Sequence, residues 1–487
     1  MAFGSLTFLL YFPLVFALYW LCRSPRRQNL VLVAASYVFY GWWDYRFCAL
    51  MLASSLIDYG VGLAMTRTED GQRKKAWLWV SVCCNLGLLG FFKYFNFFAE
   101  NLTEAAAKVG WQLNTGTLEI LLPVGISFYT FQTLSYTIDI YRGKLKPTSN
   151  LIDYLAFVSF FPQLVAGPIE RATNLLPQFL SPRKFDYEVA CDGCRQMLWG
   201  FFKKLVIADR LVAFVDATYA DSGGQPGTLL ALATVCFAFQ IYCDFSAYSD
   251  IAIGTAKLFN IRLMRNFAYP YFSQSVTEFW RRWHISLSTW FRDYVYLPLG
   301  GNRASTPRWA MNIVVTFLIS GLWHGAAWKF LIWGGIHGLA VVVEKTLLGT
   351  RSVDDQAPGG TSLVPGPLVV LRMLATFVVV CVCWVFFRAE SLPQAGSVLY
   401  AIGRDLFSTA AYSALLKTLD GNEMLQATLM LTALLLVVEW AQRTREHPLE
   451  LESWPTSVQW GTYTLLLWGG LYFMPTNSVS PFIYFTF

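Results

Sequence analysis

Histidine is scarce in this chain, with four among 487 residues. Two of them, His324 and His337, lie in the apolar run "MNIVVTFLISGLWHGAAWKFLIWGGIHGLAVVV"; a third, His284, lies in "SVTEFWRRWHISLSTWFRDYVYLPLGGNR". Imidazole is the side chain best suited to taking a proton near neutral pH. An ionisable group inside an apolar segment is costly, and by default it faces a cavity or a partner. A buried histidine facing a cavity can act as general base on a hydroxyl that attacks an activated acyl group. The competing reading is a neutral imidazole bonded to a backbone carbonyl of a neighbouring helix, and for His337 the sequence favours that structural role.

His324 has the richer surroundings. Gly321 and Gly325 allow close backbone approach, and Trp323 and Trp328 flank it. His337 follows thirteen residues later, about 220° around an unbroken helix. Gly334 and Gly335 are expected to interrupt that helix, which leaves open whether the two rings meet. Other catalytic machinery is missing from the sequence. "VGISFY" lacks the second glycine of a G-x-S-x-G elbow, and no H-E-x-x-H, P-loop or G-x-G-x-x-G stands where its mechanism needs it. Cys191 and Cys194 form a lone CxxC with no second pair and no nearby ligand histidine, so no metal site is expected. The ten cysteines are scattered, mostly through apolar segments, which argues against a disulfide framework.

The elements that must position these histidines are membrane helices. Apolar residues make up 55% of the chain and charged residues 14%, where soluble domains carry about a quarter charged. Apolar stretches of about 20 residues recur, the length needed to cross about 30 Å of hydrocarbon. They run near 3–22, 29–46, 47–65, 76–98, 117–140, 151–169, 198–219, 228–245, 311–328, 330–347, 367–387, 425–441 and 458–475. The pattern predicts an all-α polytopic membrane protein of about 11–13 spanning or re-entrant helices, forming one domain over 1–487. The first segment lacks a basic start and a small-residue cleavage site, so it reads as a retained helix. Basic loops after the first, third and fifth segments place the N-terminus outside. Between 157 and 184 lie Pro162, Gly167, Pro168, Pro177 and Pro182, so 151–169 is expected to dip in and return around a cavity. A net charge of +6 without a Lys/Arg block excludes nucleic acid as a partner. No internal repeat of the kind that marks many transporters is visible.

The segment 275–303 is too charged to span. At about 100° per residue, Phe279, Trp280, Trp283, Leu287, Trp290 and Phe291 share one side of a helix with His284. Glu278, Arg281, Arg282, Ser286, Thr289, Arg292 and Asp293 take the other side. This reads as one amphipathic helix at the membrane interface or a funnel rim, with Ser288 as the nearest polar neighbour of His284. Pro298 and the paired glycines after it end the helix.

Seven stretches in order resemble the membrane-bound O-acyltransferase (MBOAT) family, above all its bacterial branch of alginate O-acetyltransferase membrane subunits and teichoic acid D-alanyl transfer proteins. They are "ASYVFYGWWD" (35–44), "FFKYFNFF" (91–98), "LPVGISFYTFQTLSYTIDIYRG" (122–143), "FVSFFPQLVAGPIER" (157–171), "QIYCDFSAYSDIAIG" (240–254), "FWRRWHISLSTWFRDYVYLPLGGNR" (279–303) and "GLWHGAAWKFLIWGGIHG" (321–338). They make 30–340 the motif-bearing core and leave 350–487 as C-terminal helices.

The resemblance implies a ring of helices around a central tunnel. His324 would be the family's invariant histidine and His284 its second polar position, with Trp323, Trp328 and Ser288 along the substrate tunnel. It also implies acetyl-CoA as cytoplasmic acyl donor, no permanently bound cofactor, and a bacterial inner-membrane location. The acetyl group would pass outward to an exported polysaccharide such as alginate, through a periplasmic acetyltransferase partner. D-alanyl transfer from a carrier protein, and acetylation of cellulose or peptidoglycan, fit the same motifs. An acyl-metabolite transporter and a non-catalytic scaffold are the rivals from other classes.

Overall fold

In the computed structural model, residues 1, 3–113, 118, 120–349, 358–360, 362–473 and 482–483 are described. Every element among them is helical, as a chain rich in membrane segments requires, because helices satisfy their own backbone groups where water is absent. In order they are α1 (Leu6–Leu21), α2 (Pro25–Gly41), α3 (Arg46–Thr66), α4 (Gly71–Leu89), α5 (Phe95–Lys108), α6 (Ile126–Tyr141), α7 (Leu151–Ser159), α8 (Phe161–Leu164), α9 (Ala172–Leu180), α10 (Tyr187–Phe202) and α11 (Asp209–Ala220). There follow α12 (Gly227–Leu258), α13 (Val276–Arg282), α14 (Ile285–Phe291), α15 (Thr306–His324), α16 (Trp328–Leu348), α17 (Pro367–Arg388), α18 (Leu392–Asp405), α19 (Thr409–Asp420), α20 (Glu423–Ala441) and α21 (Thr456–Tyr472). The chain forms two compact units, Met1–Cys191 with Thr255–Met264, and Asp192–Gly254 with Arg265–Phe487.

Among the described residues, six helices are long and apolar enough to cross a membrane: Arg46–Thr66, Gly71–Lys108, Gly227–Leu258, Trp328–Leu347, Pro367–Arg388 and Glu423–Ala441. The protein is thus a multi-pass membrane protein, and the 11–13 apolar stretches, expected to be spanning or re-entrant, include segments that are not unbroken full-length helices. The interruptions have local causes. The stretch 117–140 is helical only from Ile126, because Pro123 and the left-handed Gly125 (φ +77°) precede it; residues 117 and 119 lie outside the described residues, as do 474 and 475 of the last stretch. The stretch 198–219 is interrupted by a π-helical segment, Lys203–Ala208, and 311–328 stops at His324.

In the first unit the stretch 151–169 breaks as expected and is buried by protein. Pro162 stands at the start of α8, and the helical ladder from α7 fails there. The carbonyl of Phe157 instead accepts the side-chain amides of Gln132 (2.7 Å) and Gln163 (3.0 Å). The N–H of Phe161 donates to Ser36 Oγ (3.0 Å). In the same unit α3, α4 and α6 are joined by a polar cluster. Asp58 accepts from Ser81 Oγ (2.5 Å) and Asn85 Nδ2 (2.8 Å), while Ser54 and Thr133 donate to Asn85 Oδ1. A buried carboxylate must be satisfied in this way.

The second unit is built on the α15–α16 hairpin. A Cβ on Gly321 would lie 2.2 Å from the Phe330 carbonyl oxygen, and one on Gly334 2.2 Å from the Phe317 carbonyl oxygen. Only glycine permits such backbone contact, the small-residue packing of membrane helices. Gly334 and Gly335 therefore do not interrupt α16, contrary to expectation. The break lies at Gly325–Ala327, between the two histidines.

Candidate active site

His324 is the last residue of α15, followed by an extended Gly325. Its ring is buried edge-on against Trp323 (centroids 4.9 Å), Trp333 (4.9 Å) and Phe387 (5.4 Å). His337 also packs against this indole, 4.9 Å from Trp333. The two histidines thus sit on different helices and share Trp333. Trp280 Nε1 donates to His337 Nδ1 (3.2 Å), which makes Nδ1 the acceptor and places the proton of neutral His337 on Nε2.

The segment around His284 is not the single amphipathic helix that its wheel suggests. Helix α13 is capped by Ser275, whose Oγ accepts from the N–H of Glu278 (3.1 Å), and it stops at Arg282. His284 has left-handed φ +44° and ψ +55°, and α14 begins after it. The cause lies in residues 266–268. The Asn266 carbonyl accepts from the N–H of Ile285 (2.9 Å), and the N–H of Ala268 donates to the Arg282 carbonyl (3.0 Å). This pair of strand-like bonds replaces two helical ones. The break also changes which faces are wet. Arg282 is buried and paired with Glu278 (3.0 Å), and Ser286 is buried against Asn266.

His284 is fully buried. Its Nδ1 lies 3.0 Å from Asn266 Oδ1 and 3.4 Å from Ser286 Oγ. Its ring meets Phe245 (4.6 Å), Phe267 (6.4 Å) and Trp323 (6.0 Å). Burial pushes its pKa down to about 3, so the ring is neutral and keeps one lone pair for a proton. Trp323 touches both His284 and His324, so the two rings are separated by one indole. Ser288 is not the polar neighbour of His284: its hydroxyl donates to the Trp283 carbonyl (3.2 Å).

Three cavities of the second unit bear on this cluster, none of them walled by His284, His324 or His337. The largest, about 790 Å³, is lined by Ser288, Thr289, Thr316 and Ser320, and by the cations Arg265, Arg281, Arg282, Arg292 and Lys345. Its wall reaches Ser320, one turn before His324 on α15. A second, of about 520 Å³, is lined by Lys204, Asp209, Asp216, Lys329, Arg388 and Glu390 among others. Lys329 and Lys345 stand at opposite ends of α16, about 24 Å apart by helical rise, so the large cavity runs along the hairpin from Lys345 to Ser320, and the second meets it beside the turn, at Lys329. The third, of about 20 Å³, is polar and has room for about one water. It is lined by Asn266, Ser249, Lys203, Asp250, Glu439 and His447 among others. Lys203 donates to Ser246 Oγ (2.7 Å) and pairs with Asp250 (2.6 Å); Tyr242 donates to Glu439 (2.8 Å).

Of the residues singled out from sequence, His284, His324 and Trp323 come together in one aromatic cluster, and Ser288 lines the large cavity. Trp328 opens α16, is 56% exposed and lines none of the three cavities. Asn266, Ser249, Lys203, Asp250 and Glu439 escaped sequence reasoning. A signal was present for Lys203 and Glu439, which fall inside the apolar stretches 198–219 and 425–441, where a charge implies a partner; Asp250 lies outside them. Nothing in the sequence distinguishes Asn266 from a loop asparagine.

Residues 144–386, which contain all three clustered histidines, match the membrane-bound O-acyltransferase family, MBOAT. Over 400 residues the chain is 44% identical to the "Probable alginate O-acetylase AlgI" of Pseudomonas aeruginosa, covering 81% of this chain and 73% of that one. The protein of the same description from Azotobacter vinelandii is 45% identical, covering 81% and 76%. A "Peptidoglycan O-acetyltransferase" of Helicobacter pylori is 33% identical over 506 residues, covering 96% and 92%. Multi-pass, helical and alike over most of its length to these proteins, the chain belongs to the membrane-bound O-acyltransferase family.

Proposed function

We propose that this chain is an O-acetyltransferase of the bacterial inner membrane that takes acetyl from acetyl-CoA on the cytoplasmic side. The acetyl group then passes outward for O-acetylation of an exported, alginate-like polysaccharide, with a periplasmic acetyltransferase completing delivery. The observation that carries the reading is the large cavity, whose cations suit the phosphates of CoA and whose wall comes within one helical turn of His324. Its arginines and lysine support a cytoplasmic setting for this cavity by the positive-inside rule. The names of the similar proteins supply the acetyl group and the glycan.

In this mechanism an acceptor hydroxyl attacks the thioester carbonyl beside His324. A new C–O bond forms, the C–S bond breaks, and the thiolate leaves with its electron pair. His324 polarises the hydroxyl or assists the attack, and His284 orients or shuttles the proton, which finally reaches the thiolate. The aromatic cage of Trp323, Trp333 and Phe387 excludes bulk water, which limits hydrolysis of the thioester. CoA is a substrate here, and no permanently bound cofactor is needed.

The test is purified protein given labelled acetyl-CoA in parallel with a D-alanyl-charged carrier protein. CoA release coupled to acetyl transfer, lost in His324→Ala, supports the proposal. Transfer from the carrier alone makes the protein a D-alanyltransferase. Acetyl export without CoA release makes it a transporter, and unchanged cellular acetylation with both His284 and His324 replaced makes it a scaffold.

A further inference from the structure

Two buried histidines of the second unit are held by neighbours of opposite character, and the difference fixes where each can accept a proton. At His337 the partner is an indole N–H, a donor without acceptor capacity, so Nδ1 carries the lone pair. At His284 the partner is Asn266 Oδ1, and the assignment of that atom as oxygen is secured by a third group. The backbone N–H of Ser286, which can only donate, points at it from 3.3 Å. The Ser286 hydroxyl donates to the same oxygen (2.9 Å), and the amide nitrogen on the other side donates to Ser249 Oγ (3.1 Å). An oxygen acceptor 3.0 Å from Nδ1 requires a proton on Nδ1. A neutral ring protonated there has its lone pair on Nε2.

We propose that Asn266 is a positioning residue for acyl transfer: it locks neutral His284 in the Nδ1–H tautomer, so that Nε2 is the proton-accepting atom. Its backbone carbonyl, by taking the N–H of Ile285, also holds His284 in the left-handed conformation that ends one helix and starts the next. Such a conformation is strained for a residue other than glycine. One fully buried asparagine thereby sets the backbone, the ring orientation and the tautomer of a residue 18 positions away. Ser249 and Ser286 act behind it by fixing the amide flip. The inference rests on the reading of His284 as part of the proton path.

The experiment uses the full chain in lipid nanodiscs with ¹⁵N-labelled histidine, the His284 signal being assigned by its loss in His284→Gln. The wild type is expected to show the Nδ1-protonated pattern at His284 and the Nε2-protonated pattern at His337. An Nε2-protonated or cationic His284 in the wild type overturns the assignment without any further variant. In Asn266→Leu the Nδ1–H form of His284 gives way to the other tautomer or a mixture. Acetyl-CoA turnover, read as kcat, falls about 10²-fold or more, with KM for acetyl-CoA within about twofold. In Asn266→Asp, which keeps shape and acceptor, the Nδ1–H form persists and most of the turnover returns. An unchanged tautomer in Asn266→Leu, or equal losses in the Leu and Asp variants, refutes the lock. If no form of the protein turns over acetyl-CoA, the functional reading fails, and the nitrogen spectrum still decides the tautomer.

Discussion

In the α15–α16 hairpin, His324 and His337 ride on long helices, and glycines at 321, 334 and 338 bring the two backbones into contact. In the stretch from Arg265 to Arg303, by contrast, neither α13 nor α14 exceeds seven residues, and His284 sits in the gap between them. The hairpin places its histidines by helix geometry, so each ring's position follows from its number in the helix. The broken stretch places His284 by hydrogen bonds from residues remote in sequence. A histidine on a regular helix has no backbone polar group to spare, and here His337 finds an indole. A histidine at a helix break sits among displaced N–H and C=O groups, and here an asparagine gathers them.

That contrast can be broken at its centre by His324→Ala, which is expected to lower acetyl transfer by about 10²–10⁴-fold while full-length protein remains in the membrane. The paired control is His337→Phe, expected to keep transfer within about threefold of the unaltered protein. A comparable loss in both would mean that the hairpin, and not one ring on it, is what activity needs. The next largest effect falls on the hairpin's packing. A Cβ on Gly321 has nowhere to go but the Phe330 carbonyl, so Gly321→Val should destabilise the protein by about 2–3 kcal/mol, read as a lower unfolding midpoint in detergent. The same replacement at Gly335, whose nearest non-local atom would be the Leu318 side chain at 3.5 Å, should cost less than half as much.

Trp280→Phe keeps an aromatic ring beside His337 and removes only the N–H donor. The expected cost is about 1 kcal/mol in stability with transfer unaffected; a loss of transfer would move His337 from scaffold to mechanism. The smallest effect is expected at the cation-lined mouth. Arg292→Ala should raise KM for acetyl-CoA about threefold, more at low salt than at high salt, because a half-exposed cation interacts through screened solvent. An unchanged KM at low salt would remove Arg292 from the donor site.

Much of this arrangement is legible in the residues themselves. Long apolar runs with few charges can only be membrane helices, since a spanning segment must satisfy every backbone group internally. Four histidines in 487 residues make the buried ones conspicuous, and the motif order singles out His324 and His284. The helix break at Pro162 is likewise announced by its prolines. What misleads is periodicity: 275–303 has a clean amphipathic wheel, yet Arg282 and Ser286 from its polar arc are buried. A wheel assumes that the helical ladder is the best offer the backbone receives, and at His284 Asn266 offers bonds that compete with it.

Composition and spacing alone, then, determined the helical class, the membrane setting and the buried histidine His324 as a candidate, because these depend on local hydropathy and on the cost of burying an ionisable group; it took the order of the motifs to add His284. Tertiary structure alone decided that α16 runs through its glycines, that Trp323 joins His284 to His324, and that His284 and His337 carry their protons on different nitrogens. The physical reason is that a tautomer and a helix break are chosen by the hydrogen-bonding partner that folding brings near, and Asn266 and Trp280 become partners only once the chain has packed.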